Sequence, residues 1–149
     1  MIKLKTFGGF MAGNDLTSVQ EGTWRSEKLE KLFVYLAMNR NRGVCIEDIS
    51  EAIWQRDEDT DNPVGALKNL AYRLRKALRD TSFDEECIVS VRGGLYKWND
   101  DVEVTIDVEE FDGYINEAEL AFSRSKETAI ESYEKAIALY NGDFLPHRT

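Results

Sequence analysis

Between Val64 and Arg79 the sequence reads VGALKNLAYRLRKALR, a run with five cations and no acid. Placed at the roughly 100° per residue of an α-helix, its residue types separate into two arcs. Val64, Leu67, Leu70, Ala71, Leu74, Ala77 and Leu78 fall on one arc, and Lys68, Asn69, Tyr72, Arg73, Arg75, Lys76 and Arg79 fall on the other. Guanidinium and ammonium groups bind phosphate oxygens, and Arg, Lys and Asn also bond base edges in a major groove, so the polar arc suits double-stranded DNA. An ordinary solvated helix face carries the same residues, and the pattern alone leaves both readings open. A second candidate follows at Arg92-Gly93-Gly94. The glycine pair supplies the positive φ values of a two-residue turn, and a tip with Arg92 and Gly93 can come close to a phosphate or a minor groove.

These groups need a scaffold, and the flanking sequence supplies one. Ile2 to Phe7 alternates Ile2, Leu4 and Thr6 with Lys3 and Lys5, stops at Gly8-Gly9 and resumes at Phe10-Met11, which reads as short antiparallel strands. Ser26 can cap a helix whose buried face is Leu29, Leu32, Phe33 and Leu36, and Glu27 suits its dipole. After Asn41-Arg42-Gly43 comes a short helix with Ile46, Ile49 and Ile53 on one side, ending near Trp54, then the charged loop from Arg56 to Asp61. Asn62-Pro63 starts the long basic helix, since Asn caps free amides and Pro tolerates the first helical position. Ile88 to Arg92 and Leu95 to Trp98 then form a hairpin around Gly93-Gly94. The order of helix, short helix, loop, basic helix and hairpin is the plan of a winged helix. From Asp107 two helical patterns follow, Val108, Phe111, Ile115 and Ala118, then Ala129, Tyr133, Ala136, Ile137 and Tyr140, with Asn141-Gly142 as a stop. They are expected to pack as an antiparallel pair against the winged helix, burying Phe111, Ile115, Tyr133 and Ile137 between them.

A net charge of −9 on 149 residues looks wrong for a DNA-binding protein until it is divided along the chain. Up to Asn99 there are 15 basic and 15 acidic residues; from Asp100 onward there are 4 and 13, so the last third carries the whole imbalance. With 42% apolar residues the chain can bury a core, and it has no run long enough to span a membrane and no signal-peptide core. A cytoplasmic location is expected. Cys45 and Cys87 stand apart and His147 is the lone histidine, which argues against a disulfide framework or a zinc site, and no cofactor is expected. Neither a nucleophile motif nor a phosphate-cradling glycine loop is present, so an enzyme is not expected.

The residues from "WRSEKLEKLFVYLAMNRNRGVCIEDISEAIW" through "ALKNLAYRLRKAL" to "IVSVRGGLYKW" resemble the OmpR-like winged-helix output domain, in the version found in SARP-type bacterial transcriptional regulators. The downstream "DVEEFDGYINEAELAF" and "AIESYEKAIALYNGDFLP" resemble the opening of the bacterial transcriptional activator domain, built from tetratricopeptide-like helix pairs. The resemblance implies an α+β fold: a winged helix-turn-helix with N-terminal antiparallel strands and a C-terminal wing hairpin, followed by an α-helical hairpin. It implies a winged-helix DNA-binding domain over residues 1–100 and a partial activator-type helical region over 101–149. The function implied is sequence-specific transcriptional regulation, with the recognition helix in the major groove and the wing on the adjacent groove or backbone. Lys68, Asn69, Tyr72, Arg73, Arg75 and Lys76 would line the DNA side, and Arg92 and Gly93 the wing. In the resembled family the connection before the recognition helix touches RNA polymerase, which assigns that role to Asp57, Glu58, Asp59 and Asp61. A homodimer on DNA is an arrangement this reading leaves open. One helix pair of a domain that normally needs about three repeats reads as a fragment or a truncated relative. The alternative function is a protein-interaction module, in which the winged helix no longer binds DNA and the acidic helical pair docks a partner.

Overall fold

The computed structural model describes residues 1–14, 17–54, 63–81, 89–92, 94–140 and 142. Three short strands open the chain: β1 (Ile2–Lys5), β2 (Met11–Gly13) and β3 (Ser18–Gln20). They are followed by α1 (Glu27–Met38), β4 (Val44–Cys45), α2 (Ile46–Ile53) and α3 (Pro63–Asp80). The hairpin strands β5 (Val89–Arg92) and β6 (Leu95–Trp98) come next, then β7 (Val104–Ile106), α4 (Asp107–Ala121) and α5 (Lys126–Leu139). One sheet has the order β3-β2-β1-β7 and the other β4-β6-β5.

Alternation decides the faces of the first sheet. Ile2 and Leu4 are buried while Lys3 and Lys5 point to solvent, as a half-buried strand requires. Pairing of β1 with β2, and of β2 with β3, is antiparallel, as the sequence suggests. The partner on the other side of β1 is β7, which runs parallel to it with Ile2 opposite Val104 and Leu4 opposite Ile106. No sequence pattern points to this strand; at three residues it is too short to display a period.

Ser26 caps α1 as expected, its hydroxyl accepting from the Leu29 amide at 3.3 Å. Beneath it Phe33 is fully buried and meets Trp24, Trp98 and Phe10 edge-on or nearly so, at centroid distances of 5.3, 5.2 and 6.5 Å. Trp98 has its indole N–H satisfied by the Val102 carbonyl at 2.9 Å, so its polar atom carries no burial penalty.

Where β1 ends, the Asp107 carboxylate takes over. The Thr6 amide donates to its two oxygens at 3.0 and 2.8 Å, the Thr6 hydroxyl donates at 2.6 Å, and the Phe7 amide at 3.0 Å. Asp107 also accepts from the Val108 amide at 2.9 Å and so serves the first turn of its own helix. Nearby, Arg40 donates through both terminal nitrogens to Glu109 at 2.8 and 2.6 Å and caps the Ala37 carbonyl at 2.8 Å. Those hydrogen bonds to Glu109 hold the Arg40 guanidinium above its ordinary value. Phe7, Phe111 and Tyr140 form a ring cluster at 5.3 to 6.5 Å. Gly142, at φ +141, lies so close to Gly8 that a Cβ there would sit 2.9 Å from the Gly8 Cα.

α4 and α5 pack on each other, but through small residues: Ala118, Ala129, Ser132 and Ala136 are buried at the seam. The expectation for Ile137 fails. It is 69% exposed, because close approach of the helices over alanines turns its side of α5 outward, while Phe111, Ile115 and Tyr133 are half-buried. Val64 likewise leaves the apolar arc and is exposed in the first turn of α3, where α1 and α2 do not cover it.

Replacing Asp107 by Ala leaves the Thr6 amide, the Thr6 hydroxyl and the Phe7 amide without their acceptor in a buried place. A loss of about 3 kcal/mol in folding stability is expected, from charged hydrogen bonds and stranded donors together. Chemical denaturation checks this, with Lys3→Ala on the solvent face of β1 as a control expected to change stability by less than about 0.5 kcal/mol.

Candidate nucleic-acid interface

α3 is held by its apolar stripe. Leu67, Leu70, Ala71, Leu74 and Leu78 are buried where the helix packs on α1 and α2. Its far end is fixed by a short relay, in which the Trp24 indole N–H donates to the Thr81 hydroxyl at 3.4 Å and that hydroxyl donates to the Ala77 carbonyl at 2.7 Å. On the other side Lys68, Asn69, Tyr72, Arg73, Lys76 and Arg79 are all exposed. Among the described residues, Lys68, Arg73, Lys76 and Arg79 form no ion pair with an acid, so their charges are not neutralised within the fold.

Arg75 differs from the rest of its arc. It is half-buried and stands close enough to Tyr96 for its charge to act on the phenol. Burial pushes the Tyr96 hydroxyl above the ordinary tyrosine value, and Arg75 pulls partly against that shift. Tyr96 belongs to β6, so Arg75 lies on the wing side of α3 and not at the centre of its exposed face.

The wing is built on β6. Val89 pairs with Trp98 and Arg92 with Leu95, and Gly94, just before β6, has φ +78. β4 pairs on the other side, Val44 opposite Tyr96 and Cys45 opposite Leu95. Tyr96 and Trp98 point into the core while Leu95 is exposed beside Gly43, where a Cβ would come within 3.0 Å of the Leu95 side chain. Of Arg92 only the backbone is described, and Gly93 and the loop residues Asp57, Glu58, Asp59 and Asp61 lie outside the described residues.

Of the residues expected on the DNA side, Lys68, Asn69, Tyr72, Arg73 and Lys76 thus share one exposed surface, with Arg75 at its margin. Arg79 extends that surface by one turn, and its position on the polar arc is the sequence signal for it. The Trp24–Thr81 hydrogen bond that holds the helix end has no such signal, because it joins residues 57 apart in the chain. Among the described residues no group of three potential metal ligands occurs, and no helix is long and apolar enough to cross a membrane.

Residues 20–98 match the family described as transcriptional regulatory protein, C terminal. No curated protein matches the chain. Among solved structures, Mycobacterium tuberculosis EmbR, in complex with a low-affinity phosphopeptide, superimposes with a TM-score of 0.75 at 19% identity. The match covers 99% of this chain and 38% of the EmbR chain, so the present chain spans well under half of that protein's length.

Tyr96 gives a pH test of this packing. Its proton is held more tightly in the folded state than in the unfolded chain, so its contribution to stability is present below about pH 10 and is lost as pH rises past that value. Tyr35, also pushed up chiefly by burial, adds to the same alkaline loss. Tyr96→Phe should reduce, without abolishing, the fall in stability above about pH 10. Arg75→Ala should move the Tyr96 titration further up, since the charge that opposed the shift is gone. Ultraviolet titration of the phenolates with parallel denaturation reads both, and an unmoved Tyr96 titration would place Arg75 away from the wing.

Proposed function

The chain belongs to the family of transcriptional regulatory protein C-terminal domains, and on that premise we propose that it regulates transcription by binding double-stranded DNA sequence-specifically. The single observation that supports this most is the α3 surface, a row of unneutralised cations beside a β-hairpin, on a helix held by its opposite face. α3 is the helix proposed for the major groove, and the β5–β6 wing, with Arg92 and Gly93, reaches the neighbouring groove or backbone. An assignment to SARP-type regulators fits both the family and the fold shared with EmbR. In this reading residues 1–100 are the DNA-binding unit and 101–149 begin an activator-type helical region, and the protein works in the cytoplasm without a cofactor. No enzymatic step is assigned.

The acidic loop Asp57, Glu58, Asp59 and Asp61 precedes α3, and the role proposed for it is contact with basic residues of RNA polymerase. Repulsion from phosphate keeps such a loop away from DNA in any case. Neutralising all four residues is expected to lower transcription in a reconstituted assay while DNA affinity stays equal or rises slightly. Unchanged transcription removes the polymerase role.

DNA binding itself is tested by salt dependence on random and cognate duplexes. Log affinity should fall steeply and linearly with log salt, and removing one phosphate-bound cation should reduce the slope by about 0.9. Arg73→Ala and Lys76→Ala remove exposed charges and should each leave folding stability within about 0.5 kcal/mol. A residue that reads a base should instead cost roughly 1 to 3 kcal/mol on the cognate site only. If the double variant keeps both affinity and slope, α3 is not the recognition helix. The protein-interaction reading then stands in its place, supported by Leu120, Phe122, Ile130 and Ile137 exposed on an acidic helical pair.

A further inference from the structure

The exposed side of α3 carries an aromatic ring where charge alone would suffice for holding phosphates. At about 100° per residue, the direction opposite the buried Leu67, Leu70, Ala71, Leu74 and Leu78 falls on Lys76, with Asn69 and Tyr72 within about 40° on either side. Lys68 and Arg79 lie about 55° to 80° away on one flank, and Arg73 lies similarly far on the other. A helix seated in a major groove presents its flanks to the two phosphate rows and its centre to the base edges. The cations of α3 thus sit mainly where phosphates would be, and the uncharged Asn69 and Tyr72 sit where bases would be.

Tyr72 is 62% exposed, and among the described residues its ring stacks on no neighbour and its hydroxyl has no hydrogen-bond partner. The ring therefore contributes nothing evident to the core. In a major groove the one alkyl group that the bases present is the 5-methyl of thymine. Resting on the DNA-binding reading, we infer that Tyr72 is a specificity-determining residue that selects thymine at one position of the site, its ring covering the 5-methyl group. Lys76 and Asn69, one turn to either side, remain free to bond the neighbouring base pairs, so the aromatic contact fixes register between two polar ones. A hydroxyl bond from Tyr72 to a phosphate is the competing arrangement, and it carries no base preference.

The experiment uses the whole chain. A duplex is selected from a random library with the wild-type protein, and each thymine in it is replaced singly by deoxyuridine, which removes only the methyl group. One replacement should weaken wild-type binding about fourfold, the value of one buried methyl. Tyr72→Phe should show the same loss at the same position, and Tyr72→Ala should show none there and accept other bases. The salt slope should be equal in all three proteins, because the ring carries no charge. A methyl dependence that survives in Tyr72→Ala overturns the inference. So does equal weakening by Tyr72→Phe and Tyr72→Ala on every sequence, which assigns the hydroxyl to a phosphate. Salt-dependent wild-type binding without any methyl-sensitive thymine overturns this inference and leaves DNA binding standing, whereas a wild-type protein that binds no duplex overturns both.

Discussion

Asp107 is the joint on which the arrangement depends. A carboxylate that is almost fully buried is stable only when its lone pairs are taken up, and here the end of β1 supplies three donors and α4 a fourth. One side chain thereby sets two things at once. It continues the β1–β7 pairing beyond Leu4 and Ile106, and it fixes the direction in which α4 leaves the sheet. The Arg40–Glu109 pair and the Phe7, Phe111 and Tyr140 rings brace the same junction from either side. The helical pair is consequently seated on the sheet and does not hang from it by a linker.

The end of α3 and the wing strand are tied through one buried ring of α1. Phe33 touches Trp24, whose indole fixes the end of α3, and Trp98, which anchors the wing strand. Close-packed rings transmit position well because a void or an overlap at any of them is costly. The cationic helix and the wing hairpin are thus referred to a common centre in the core. Arg75, half-buried toward Tyr96, lies in the angle where the two elements meet.

Much of this is readable from residue order alone, and the exceptions have physical causes. Long periodic segments such as α1 and α3 show their period plainly, and Gly94, at positive φ, marks the start of the second wing strand. The cationic surface is legible because polar residues on an amphipathic helix have nowhere to go but out. β7 is not legible: three residues cannot show a period, and its pairing with β1 spans a hundred positions. Periodicity assigns Ile137 to the α4–α5 seam because large apolar residues are usually buried, yet Ala118, Ala129 and Ala136 bring the helices too close to admit it. Arg75 illustrates the same limit at the site, since a helical wheel gives an angle but does not say that Tyr96 stands beside it.

The parallel pairing of β1 with β7 also has a meaning in time. Ile2 and its partner Val104 are opposite each other in the sheet, but at a synthesis rate of about 5 to 20 residues per second they leave the ribosome roughly 5 to 20 s apart. During that interval β1 can hold β2, which follows at once, while its other edge stays open and Thr6 waits for an acceptor. Lys3 and Lys5, standing out from that strand, are the kind of charges that discourage a foreign strand from taking the vacant place. The sheet is thus begun by β1 and β2 and closed only by β7, about a hundred residues later.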